Sequence, residues 1–254
     1  MPDVFETTEP ANDALPARVG GLRASDLSVG IGTGAGEWSP QLQCSPSLTE
    51  LFSSVDDAAG EALALAFARE HLAASQDGQW LWVQDASSIR KGGRPYLHGL
   101  PAPYRSGLLH VEARNAADAL WAMEEGVRCG ALSFVVGELA GDPKSLDFTA
   151  TRRLVLAAER HGVPLFLVRR NGFANLSAAR LRWRVEAARS SDHPWNAVAP
   201  GDPHLCAELF RGRGLKPGRF TLSHGIGAHE PVDRLCVVPE LRDRPLEPER
   251  SLAG

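Results

Sequence analysis

The sequence predicts an α/β fold whose mostly parallel sheet is flanked by helices, and three observations predict it. Between residues 57 and 170, short apolar runs alternate with helical patterns. Each run is short and continuously apolar, as a parallel strand buried on both faces should be. From residue 179 the pattern changes to strict alternation followed by a Gly/Pro turn, which adds antiparallel C-terminal strands to the sheet.

Residues 1–45 are dense in Gly, Pro, Ser and Asp, and "GIGTGAGEWSP" packs glycines too closely for a regular element. We expect a flexible N-terminal segment here, with its first dozen residues disordered. "DAAGEALALAFAREHLAA" (57–74) reads as a helix, with Leu63, Phe67 and Ala66 on one stripe and Asp56 or Asp57 able to cap it. "QWLWVQDA" (79–86) and "GLLHVEA" (107–113) read as strands. "NAADALWAMEEGVRCG" (115–130) is a helix capped by Asn115 and stopped by Gly130. "ALSFVVGEL" (131–139) is the next strand, "LDFTATRRLVLAAERHG" (146–162) the next helix, and "VPLFLVRR" (163–170) the strand after it. This alternation is the signature of βαβ units.

In "ARLRWRVEAAR" (179–189), Leu181, Trp183 and Val185 alternate with Arg180, Arg182 and Arg184, a half-buried strand with its arginines outward. Residues 206–225 read as a hairpin and "DRLCVVPEL" (233–241) as a last strand. The charged, Pro-rich residues 242–254 are expected to be a loose tail, leaving 46–241 as the folded domain.

Composition narrows the function classes. The 254 residues are 43% hydrophobic and 23% charged, ordinary for a globular chain. No apolar run of about 18 residues suggests a membrane span. Residues 1–20 are acidic and carry no apolar h-region, so no secretory signal is expected. Cys44, Cys129, Cys206 and Cys236 are scattered without metal-site spacing, and the histidines show no HxxxH or HxH pattern. No GxSxG elbow supports a hydrolase. We therefore expect no metal and no cofactor. Charge is uneven: residues 1–150 carry 10 Lys and Arg against 20 Asp and Glu, whereas residues 151–220 carry 13 against 5. The basic stretch suits phosphates, an acidic protein surface or simple solvation.

"SSVDDAAGEALALAF" (53–67) raises the central chemical question. A loop before such a helix often ends in Gly-Lys-Ser/Thr and cradles phosphates. Here Gly60 is followed by Glu61 in place of Lys and Ala62 in place of the hydroxyl, and Val55 stands where the leading glycine would. At ~4 Å and an effective dielectric of ~20, each close contact between a carboxylate and a phosphate charge costs ~4 kcal/mol before screening.

"DALWAMEEGVRCGALSFVVGEL", "LDFTATRRLVLAAERHGVPLFLVR" and "SAARLRWRV" closely resemble the ImuA family, over roughly residues 45–240. These bacterial damage-inducible proteins are related to the RecA/SulA superfamily, so the resemblance implies a RecA-like core. Residues 131–137 then align with the strand that normally ends in a magnesium-holding aspartate. Gly137 takes that place, and Glu138 comes one position late. With the Lys, the hydroxyl and the aspartate all replaced, the resemblance implies a degenerate nucleotide site (Gly60, Glu61, Ala62, Gly137, Glu138) and no enzyme activity.

The resemblance further implies a non-catalytic accessory or adaptor role in SOS-induced, error-prone translesion DNA synthesis. The partners would be an ImuB-type Y-family polymerase relative, RecA, and indirectly an error-prone replicative-type DNA polymerase. The location would be cytoplasmic, at the nucleoid after DNA damage. Two alternatives stand beside this one: an active RecA-type ATPase or recombination mediator binding single-stranded DNA, and a SulA-like cell-division inhibitor.

The candidate partner or DNA contacts are Arg152, Arg153, Arg180, Arg182, Trp183, Arg184, Arg211, Arg213 and Lys216. Arginines around an aromatic ring suit phosphate contact and base stacking, and equally suit an acidic protein face. For Asp147 we expect a helix cap, and for Glu124 an ion pair with Arg128 four residues on. His110 and His161 are expected to be structural.

Overall fold

The computed structural model describes residues 46–74, 78–193, 195–196, 198–225 and 234–237. The expected flexible segment 1–45, the tail 242–254 and part of the expected last strand lie outside the described residues. Among those described, nine strands form one sheet: β1 (Leu48–Ser53), β2 (Trp80–Asp85), β3 (Leu108–Ala113), β4 (Val135–Ala140), β5 (Leu165–Arg170), β6 (Leu181–Ala188), β7 (His204–Gly212), β8 (Gly218–Gly225) and β9 (Arg234–Val237). Their order is β3-β2-β4-β5-β1-β6-β7-β8-β9. From β3 to β6 every neighbouring pair is parallel, and from β6 to β9 every pair is antiparallel. The helices are α1 (Ala59–Ala74), α2 (Ala86–Gly92), α3 (Ala102–Arg105), α4 (Ala116–Arg128) and α5 (Phe148–His161). The expected α/β architecture is thus the observed one. No helix among the described residues is long and apolar enough to cross a membrane.

Successive side chains on a strand point to opposite faces, which divides the core in two. On one face Leu63 and Phe67 of α1 pack with Trp82, Val136, Phe166 and Val168. On the other, Met123 of α4 and Leu154 of α5 pack with Leu81, Val135, Leu165 and Leu167. Local signals set the helix ends. Asn115 accepts a hydrogen bond from the Asp118 N–H at 2.9 Å, Asp147 accepts one from the Ala150 N–H at 2.7 Å, and Gly162 closes α5 in the left-handed conformation.

Four expectations need correction. The sheet's central strand, β1, does not read as a strand from sequence, because Glu50 interrupts its apolar run and Thr49 and Ser53 dilute it. The short helices α2 and α3 are also new. β3 is not buried on both faces: it is an edge strand with Leu109 and Glu112 exposed. Finally, the strand in 131–139 starts only at Val135 and does not end at Gly137. It runs to Ala140, so Gly137 and Glu138 are mid-strand.

Candidate functional site

The parallel strands end together beneath the start of α1, where open α/β sheets place their ligands. Gly60 sits at this junction. A Cβ there would lie 2.7 Å from Ser53 Oγ and 3.0 Å from Val168 Cγ1, so the glycine lets α1 press against β1 and β5. Ala62 faces solvent, but Glu61 is buried. Its carboxylate lies 3.2 Å from Nη1 of Arg170, the last residue of β5.

Arg170 fills the centre of this region. Its Nη1 donates to Glu138 Oε1 at 3.0 Å, and its Nη2 donates to the Val55 carbonyl at 2.7 Å. A Cβ on Gly92 would come within 1.9 Å of Nη1, so α2 closes directly on the guanidinium. The loop that would cradle a phosphate therefore wraps an arginine of its own chain. Two of its N–H groups are also engaged: Val55 donates to the Asn171 side chain at 3.0 Å and Ala59 to Asp57 Oδ1 at 2.8 Å.

The network continues along the strand ends. Gln84 Nε2 donates to Glu138 Oε2 at 2.8 Å and to the Gly93 carbonyl at 3.0 Å. Gln84 Oε1 is then left to accept, and His110 Nε2 lies 2.9 Å from it, so His110 donates from that nitrogen. Burial lowers the His110 pKa. Asp85 caps α2 by accepting from the Ser88 N–H at 2.8 Å. Gly137 has a packing role. A Cβ there would meet the Met123 side chain at 2.4 Å, so the glycine admits α4 to the sheet.

One guanidinium thus stands between two buried carboxylates. Neither Glu61 oxygen has a hydrogen-bond partner. Burial first, and the Glu138 carboxylate second, raise the Glu61 pKa to about 7 despite the pull of Arg170. Below pH about 7 the site favours a proton on Glu61 over a second carboxylate charge. Polyphosphate would need the opposite, a surplus of positive donors. No group of three or more His, Cys, Asp or Glu among the described residues could hold a metal ion.

The candidate contact residues divide. Arg182 is buried and does not join the expected outward arginine face; Trp183 is buried on the inward side, as the alternation expects, and so is not available as a contact. Arg182 donates to Glu50 Oε2 at 2.6 Å and stacks over Phe52 and Phe210, while Arg169 lies 3.7 Å from the same carboxylate. Trp183 packs between Phe67 and Phe220 in the core, out of reach of a base. The alternation in 179–189 misleads at Arg182 alone, because Phe52 and Phe210 cover its guanidinium and Glu50, the counter-charge, sits on the unrecognised β1. A single acid inside "LTELFS" was the available signal.

Arg184 is exposed and pairs with Glu208 at 3.3 Å. Arg153 pairs with Glu124, which also holds Arg128 at 2.5 Å, so the expected helix pair gains a partner from α5. Arg180 precedes β6 and clamps Glu159 with bonds of 2.6 and 3.0 Å. Arg152, Arg180, Arg211 and Arg213 come together around one groove, and Lys216 is exposed in the β7–β8 turn.

No protein-family model matches the chain, and comparison with curated proteins finds no match.

Proposed function

We propose that the protein is a non-catalytic accessory protein of the ImuA type, acting in error-prone translesion synthesis through protein contacts and not through nucleotide turnover. The observation that carries this reading is Arg170. Its guanidinium lies beside the start of α1, where the resemblance would put a nucleotide's phosphates, and is held there by Glu138, Glu61 and the Val55 carbonyl. Opening the site would break a buried charge network, which costs about 3–5 kcal/mol when one partner is removed. The incoming phosphates would then face Glu61 and Glu138. The sequence phrases in 118–139 and 146–169 supply the family side of the reading.

On this reading the partners are an ImuB-type polymerase relative and RecA. The alternative of an active RecA-type ATPase requires nucleotide binding, so one titration separates the two. The purified protein is titrated with a fluorescent ATP analogue and Mg²⁺, with RecA as positive control. We expect no saturable binding up to millimolar nucleotide. Saturation in the micromolar range would overturn the proposal. Pull-down with the polymerase relative and with RecA then tests the adaptor role, and failure to bind either would remove its content.

A further inference from the structure

Away from Arg170 and the start of α1, α5, the segment 177–180 that crosses it, and the end of β7 enclose a groove of about 620 Å³. Segment 177–180 is pinned there: the Ala178 N–H donates to Thr151 Oγ1 at 3.1 Å, and the Arg180 N–H donates to the Leu48 carbonyl at 3.0 Å. The walls are therefore set by the fold.

The lining combines two chemistries. Phe148 and Leu156 of α5 are 42% and 53% exposed and line the same concavity, so they form a joint apolar surface. Around them stand Arg152, Arg180, Arg211 and Arg213. Glu159 opposes this charge but is spent on Arg180, whose hydrogen bonds hold its carboxyl below the usual carboxylate range. Among the described residues Arg152 and Arg211 close no ion pair, and Arg213 acts on Glu159 only at longer range. The groove thus carries surplus positive charge beside apolar surface that water covers poorly.

We propose that this groove docks a short acidic segment of a partner protein, seating one large apolar side chain between Phe148 and Leu156 and its carboxylates on Arg152, Arg211 and Arg213. Charge complementarity selects an acidic partner, and the aliphatic wall selects a peptide over a nucleic-acid strand. Base stacking needs successive exposed rings, and Phe148 is the one aromatic ring in the lining. Anchors of this kind, an apolar side chain in a pocket with arginines beside it, carry most of the energy of small interfaces. The inference rests on the reading that the protein works through protein contacts, but its test does not involve nucleotide.

The test is fluorescence anisotropy with a labelled peptide of Glu and Asp around a central Leu-Phe pair. A second peptide replaces that pair with Ser-Ser, and labelled oligo-dT is run in parallel. We expect the first peptide to bind and to weaken as salt rises from ~50 to ~200 mM. The double variant R152E/R213E should lose affinity by at least about tenfold, or ~1.4 kcal/mol. Leu156→Ser changes no charge and should also weaken binding, with both variants keeping the wild-type unfolding midpoint. Three results would overturn the proposal: no binding of the acidic peptide, wild-type affinity retained by both variants, or oligo-dT binding that the peptide does not displace. Self-association abolished by R152E/R213E would assign the groove to a second copy instead. Peptide binding together with ATP binding would refute the non-catalytic reading and leave the docking site standing.

Discussion

The buried Glu61 makes the stability of the protein depend on pH in a calculable way. Its carboxyl moves from 4.5 in the unfolded chain to about 7 in the fold, mainly because burial disfavours the charge. The folded state therefore holds the proton more tightly. Its stabilising effect is complete below the unfolded value and is lost as pH rises through about 7. The full difference corresponds to about 3 kcal/mol, a large fraction of a typical domain's stability. Glu61→Gln keeps the shape and removes the titration. The variant should match the wild type to within about 0.5 kcal/mol near pH 4.5 and exceed it by about 3 kcal/mol at pH 8, the advantage growing between them. Urea unfolding followed by tryptophan fluorescence at a series of pH values reads this difference directly. Parallel curves for the two proteins across that range would refute the reasoning. They would mean that Arg170 already neutralises Glu61, and that the proton plays no part.

Other residues give sharper local tests. Arg182→Met should cost about 3–5 kcal/mol, because it leaves Glu50 buried with only the more distant Arg169. Arg184→Ala removes only an exposed pair and should cost under about 1 kcal/mol. Equal losses in urea denaturation would show that the two arginines are not distinguished by burial. Asp147→Ala should cost about 1 kcal/mol by uncapping α5, with Asp147→Asn restoring most of it. Failure of Asn to rescue would locate the effect elsewhere.

The sequence by itself determined the elements whose causes are local. Apolar runs gave β2, β4 and β5, helical spacing gave α1, α4 and α5, and Asn115, Asp147 and Gly162 marked helix ends. That Glu61 and Ala62 supply neither the lysine nor the hydroxyl of a phosphate loop was equally legible, because it is a matter of residue identity. Tertiary structure alone decided what those residues do instead. Glu50 and Arg182 are 132 residues apart, and they meet because β1 lies between β5 and β6 in the sheet. The same strand order brings Arg170 under the start of α1 and carries 177–180 across α5 to shape the basic groove. Alternation along one strand states which side chains share a face; it does not state what covers that face. That is why an arginine pattern that looks solvent-facing can hold a buried ion pair at Arg182 and an exposed one at Arg184.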